Sequence, residues 1–204
     1  MNLSITKYCS IKNGKVFVDG LEYFSSNEDK LNPFIKEFYR SEKPGYSKFF
    51  KMDDISKLGF MATEMLLKDF NKEVSPDKFS IVLSNSKSTL VTDQNFQDTV
   101  DKEDEIPSPA IFVYTLPNIM IGEISIRHNL KGENAFFINK NFDSNFISNY
   151  VHSLFCNHKT DCCIAGWVDY SNDKYEAFVY LVEKECCSKV ANHNNEEINK
   201  LYKK

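Results

Sequence analysis

Hydrophobic and polar positions change period several times along the chain, and each change predicts an element. Ile5-Thr6-Lys7-Tyr8-Cys9 reads as a first short strand, and Lys15-Val16-Phe17-Val18 follows an Asn13-Gly14 turn as a hairpin arm. Phe34–Tyr39 predicts a short helix, closed by Pro44-Gly45. Over Asp54–Phe70, Ile55, Leu58, Gly59, Met61, Ala62, Met65 and Leu66 return at helical spacing behind a cap at Asp53 or Asp54. Phe79–Ser84, with Ile81 and Val82, is a strand, and Asn95–Val100 a further helix. Asp101–Glu105 is an acidic run with the character of a solvated loop.

The middle of the chain carries the densest apolar pattern. Ser108 caps a turn whose first residue is Pro109, and Pro117, with no N–H to donate, interrupts it. Asn118 opens a helix that is apolar on most sides through Ile119, Met120, Ile121, Ile124 and Ile126, which predicts burial on two faces. Gly122 within it suits close approach of another backbone. After a turn at Gly132 comes a short apolar strand, Ala135-Phe136-Phe137-Ile138, and then a polar elbow, Asn139-Lys140-Asn141-Phe142-Asp143. The helix beyond the elbow places Phe146, Ile147, Tyr150, Val151, Leu154 and Phe155 on one stripe. Cys162–Val168 and Ala177–Val182 are strands, the former too apolar for an exposed edge. From Asn192 onward the residues are polar and predict a loose tail or frayed helix. Strands alternating with helices predict an α/β fold, one mixed sheet between helices.

A chain of 204 residues suits one domain with a sizeable core, and 42% hydrophobic with 26% charged residues is ordinary for a globular protein. A net charge of -4 gives no electrostatic ground for binding nucleic acid or an anionic membrane. Met1-Asn2-Leu3-Ser4 lacks the charged start and apolar core of a signal peptide, and no run reaches the roughly 18 apolar residues that span a bilayer. The expectation is a cytoplasmic protein with its six cysteines reduced.

Strand, sharp turn and helix form a place where enzymes set a nucleophile, because the partly positive helix N-terminus lowers the pKa of a thiol there. This elbow holds amides and a lysine, and no cysteine lies between Cys9 and Cys156. Cys156, His158, Cys162, Cys163, Cys186, Cys187 and His193 supply metal-ligand chemistry. The cysteines, however, stand in adjacent pairs, which a strand points to opposite faces, so no metal is expected.

Ser108-Pro109, Asn118, Gly122 and Leu130-Lys131-Gly132, with the strand after them, resemble the N-terminal half of a β-ketoacyl synthase of the thiolase superfamily. Members of that family read Ser-Pro, Asn, Gly, a Gly-Leu-Arg-Gly-Pro turn and a strand ending in Thr-Ala-Cys. Here Asn129 replaces the first glycine of the turn and Glu133 its proline, and the family's cysteine position falls on Asn141.

The resemblance implies half of a thiolase-like fold in α/β/α layers, with a mixed five-stranded sheet over residues 1–190 and a polar tail over 191–204. It implies a degenerate nucleophile position at Asn141 and no cofactor, since an amide cannot hold a thioester-derived acyl group. His128, His152, His158 and His193 lack the context of the family's catalytic histidines, which come from a second half. The family's pairing strand matches Ala135, Phe136, Phe137 and Ile138, which with Asn118 are expected at a dimer interface. Ile111 and Phe112 are expected at the end of a partner's acyl tunnel.

The implied role is a non-catalytic, chain-length-factor-like subunit, of the kind found in aryl polyene and flexirubin pigment synthesis. It pairs with a full-length β-ketoacyl-ACP synthase as a heterodimer, or with itself, and acyl carrier protein docks mostly on the active subunit. The rival readings are a free-standing homodimeric acyl-binding or scaffold protein and a condensing enzyme active on its own.

Overall fold

A computed structural model describes residues 1–102, 106–171, 174–184 and 189–204. Glu103–Glu105 of the acidic run and the Cys186-Cys187 pair lie outside the described residues. The strands are β1 (Leu3–Lys12), β2 (Lys15–Val18), β3 (Leu21–Ser25), β4 (Phe79–Asn85), β5 (Asn134–Ile138), β6 (Cys162–Ser171), β7 (Lys174–Lys184) and β8 (Ala191–Asn192). The helices are α1 (Leu31–Glu42), α2 (Asp54–Leu67), α3 (Leu90–Val100), α4 (Pro109–Phe112), α5 (Ile119–His128), α6 (Ser144–Cys156) and α7 (Asn195–Tyr202).

One mixed sheet runs in the order β3-β2-β1-β7-β6-β4-β5, with β8 beside β1. β4 is parallel to β5 and β6, and the remaining pairs are antiparallel. The α/β class and the mixed sheet between helices stand as expected, but among the described residues the sheet has eight strands where five were expected. β3 escapes a pattern reading because it leaves most side chains in solvent, and β8 is two residues long.

Alternation along the strands builds two cores. Cys9, Ile11, Ile81, Leu83, Cys162, Ile164, Val179 and Leu181 meet α1, α2 and α5 on one face. Ile5, Tyr8, Val82, Cys163, Ala165, Phe178, Tyr180 and Val182 meet α6 and α7 on the other. A bulge between Ile5 and Lys7 shifts the parity of β1, so Ile5 and Tyr8 point to the same core although three apart.

Local signals set the helix ends. Asp53 caps α2 by accepting from the Ser56 N–H at 3.1 Å, and Asp143 caps α6 by accepting from Phe146 N–H at 2.9 Å. Ser108 caps α4 with Pro109 behind it, as expected. The Pro117 break stands at a 96° bend between the 109–115 helical turns and α5. α1 and α3 begin earlier than their apolar residues suggest, at Leu31 and Leu90.

Two expectations are corrected. Residues 195–202 are not loose: Asn194 caps α7 by accepting from Glu197 N–H at 2.9 Å, and Ile198 and Leu201 are buried against α6. Nor is α5 buried on two faces of this chain. Met120, Ile121 and Ile124 are buried, but Ile126 is 67% exposed, and a side chain built on Gly122 would meet nothing. The close approach falls at Gly59 instead, where the Met120 side chain lies against the bare backbone of α2. Among the described residues no single helix is long and apolar enough to cross a membrane.

Candidate functional site

The elbow hangs between β5 and α6. β5 runs parallel to β4, and its exit is pinned by Asn139 N–H donating to Asn85 C=O at 2.9 Å. Asp143 occupies the N-terminus of α6 as its cap, so the positive end of that helix is already met by a carboxylate. Asn141 is exposed at the tip, and the elbow borders an open cleft of about 540 Å³ that α7 flanks with Asn195 and Asn199. Ser144 is buried at the base of the cleft, with its hydroxyl hydrogen-bonded to the Asn195 amide oxygen. Among the described residues the cleft is lined by amides, Lys140, Phe142, Asp143 and Ser144, and by neither cysteine nor histidine.

Among the described residues the thiols and imidazoles are elsewhere. Cys156 closes α6 at the end opposite the elbow, about 18 Å away at 1.5 Å per residue. Its sulfur lies 3.4 Å from His152 Nδ1, on an exposed stretch of the helix. Cys162 and Cys163 face opposite cores, and burial raises both thiols well above the ordinary range, as it does for Cys9. His128 pairs with Glu64 at 3.0 Å, beside Arg127. His158 is exposed and bends the chain after α6 with φ 55°. His193 packs against Tyr180, ring to ring at 5.9 Å. Among the described residues no group of three acidic, histidine or cysteine side chains gathers as a metal site.

β5 is the end strand of the sheet. Phe136 turns to the α1/α2/α5 core, and Phe137 turns to the α6 side, against Phe146 at 4.8 Å and Tyr150 at 5.0 Å. Ala135, Phe136 and Phe137 are only partly buried, and Ile138 is 54% exposed. Elsewhere in the chain Val113, Leu116 and Ile126 are also exposed apolar residues, and Asn118 is exposed at the start of α5. Ile111 and Phe112 part company on α4. Phe112 is exposed, its ring 5.3 Å from Phe96, whereas Ile111 is half-buried and lines a cavity between α2, α3 and α4. That cavity, with Asp53, Lys57 and Thr92 in its wall, is the feature that the sequence reading missed. Its residues come from five separate stretches and form no motif.

No protein-family model matches the sequence, and no curated protein matches it. Solved structures do match by fold. The ishigamide ketosynthase/chain length factor aligns with TM-score 0.65 and 16% identity over 90% of this chain. The ketosynthase ApeO in complex with its chain length factor ApeC, from Xenorhabdus doucetiae, aligns with TM-score 0.58 and 14% identity over 92% of this chain. AntDE:AntF, a type II PKS acyl-carrier protein in complex with its ketosynthase, aligns with TM-score 0.64 and 14% identity over 90%. This chain spans 62%, 81% and 62% of the matched chains, respectively. At these identities the likeness is one of fold. The chain has the thiolase-like fold of ketosynthase and chain-length-factor structures, over a length shorter than theirs.

Proposed function

We propose that this protein is a non-catalytic, chain-length-factor-like subunit that pairs with and stabilises an active β-ketoacyl-ACP synthase of polyene or fatty-acid type. One observation carries the reading: an elbow with amides at its tip stands beside a sheet edge left open and apolar. A condensing enzyme needs a thiolate on which to park the acyl chain, and Asn141 offers none. An apolar end strand is a liability for a chain alone and an asset for one that meets another sheet edge. In this reading β5, through Ala135, Phe136, Phe137 and Ile138, and Asn118 at the start of α5 face the partner. Ile111 and Phe112 then border the partner's acyl tunnel. The fold neighbours support the reading by what they are, ketosynthases and complexes of ketosynthase with chain length factor.

Co-expression with a full-length ketosynthase, followed by light scattering on the purified material, tests it. The expected product is a 1:1 complex, lost in Ile138→Lys while the circular dichroism of the variant chain is unchanged. A stable homodimer that ignores the ketosynthase gives the free-standing scaffold instead. Covalent acyl loading of this chain from acyl carrier protein refutes the non-catalytic assignment, whatever the pairing.

A further inference from the structure

The cavity behind Ile111 has a volume of about 310 Å³, at the small end of ligand-binding pockets. Its lining mixes apolar side chains, among them Met52, Val91 and Ile111, with polar ones, among them Asp53, Lys57 and Thr92. Lys57 is buried and paired with Asp54 at 3.0 Å, so the fixed charges of that pair cancel. Lys51 at the rim balances the remaining carboxylate, Asp53, which leaves no net charge to attract an ion of either sign.

Asp53 is a partly buried carboxylate in this wall, with donors from Ser56 and Thr92. Thr92 donates its hydroxyl to Oδ2 at 2.6 Å, and the Ser56 N–H donates to Oδ1 at 3.1 Å. A carboxylate has about four acceptor positions, and a buried one is stabilised by each donor it gains. Burial pushes the Asp53 carboxyl above its ordinary range, and the hydrogen bonds from Ser56 and Thr92 pull it back only in part. The Thr89 hydroxyl is turned away, donating to Thr115 C=O at 2.9 Å, and does not complete the set.

We propose that this cavity binds a small neutral molecule with an apolar body and one hydroxyl, a phenol or short alcohol, which donates to Asp53 while its body lies against Val91 and Ile111. The lining comes from one chain, and the titration uses that chain alone, although Ile111 is shared with the pairing reading.

Titration of the ¹⁵N-labelled full chain with phenol tests the proposal, with anisole as the same shape lacking the donor. Saturable shifts of the Thr89, Val91, Thr92 and Ile111 amides are expected, with a dissociation constant of about 1 mM for so small a ligand. Anisole binds roughly threefold to tenfold more weakly, the value of one hydrogen bond. Ile111→Trp puts a larger side chain into the lining and abolishes the shifts. Asp53→Asn keeps a competent helix cap and narrows the phenol-to-anisole ratio to below about twofold. The proposal is overturned if phenol shifts spread without saturation over the exposed residues of α5 and β5. Tighter binding of benzoate or benzylamine than phenol, or a phenol-to-anisole ratio unchanged in Asp53→Asn, also overturns it.

Discussion

His193 offers a direct reading of how the C-terminal segment is held. Its backbone N–H donates to Leu3 C=O at 2.9 Å, which ties the end of β8 to the start of β1. The ring lies against Tyr180, and both ring nitrogens are buried with no hydrogen-bond partner among the described residues. Burial, and secondarily the neighbouring His152, pulls its pKa down from 6.5 to about 4. The unfolded chain therefore binds the proton more readily than the native one. The contribution is fully present above pH 6.5 and is lost as pH falls towards 4. At 1.36 kcal/mol per unit, the full loss is about 3 kcal/mol, of which about 2.5 kcal/mol is gone by pH 4.5. Urea unfolding at pH 7.5 and 4.5 measures it, with His193→Phe as reference so that carboxylates titrating in the same range cancel. The wild type should lose about 2.5 kcal/mol more than the variant between the two values. Equal losses refute the assignment of a buried, neutral imidazole at this position.

Three further outcomes follow from packing. Gly166, at φ 153°, sits in mid-sheet where a Cβ would lie 2.0 Å from Phe178 O, so Gly166→Ala should cost more than about 4 kcal/mol and yield little soluble protein. Gly59→Ala would set a Cβ 2.1 Å from Met120 Sδ, costing about 1–3 kcal/mol by thermal or urea unfolding. Met120→Ala in the same chain should recover part of that cost, and additive losses would show that the two residues do not press on one another. Deleting residues 195–204 removes Ile198 and Leu201 from the second core, and the lowered midpoint should be accompanied by new binding of a hydrophobic dye.

Much of the fold was legible where a single local rule governed. Asp53 before a run of Ile55, Leu58, Met61 and Met65 marks α2 to the residue at its start, and alternation around Ile81 and Val82 marks β4, although every residue of that strand, Ser80 and Ser84 included, is buried. The Cys162-Cys163 pair was readable because alternation alone separates the two thiols. Legibility failed where distant parts decide. Leu21–Ser25 is a strand because β2 supplies its partner, not because its exposed side chains ask for one. α7 looks polar because only Ile198 and Leu201 face inward, with Tyr202 packed at the edge, and a one-stripe helix of eight residues gives little periodic signal. The elbow was visible as a polar interruption between an apolar strand and an amphipathic helix. The cavity was not, because Asp53 and Thr92 meet only after α2 and α3 have folded together.

The central pairing of β1 with β7 also sets the order of folding. Cys9 lies opposite Val179, so two strands far apart in sequence must meet at the centre of the sheet. Neither hydrophobic core can close before they meet, since both rest on those two strands. A topology so dependent on distant contacts folds slowly for its size, and the species formed before β1 and β7 pair are the ones most exposed to aggregation.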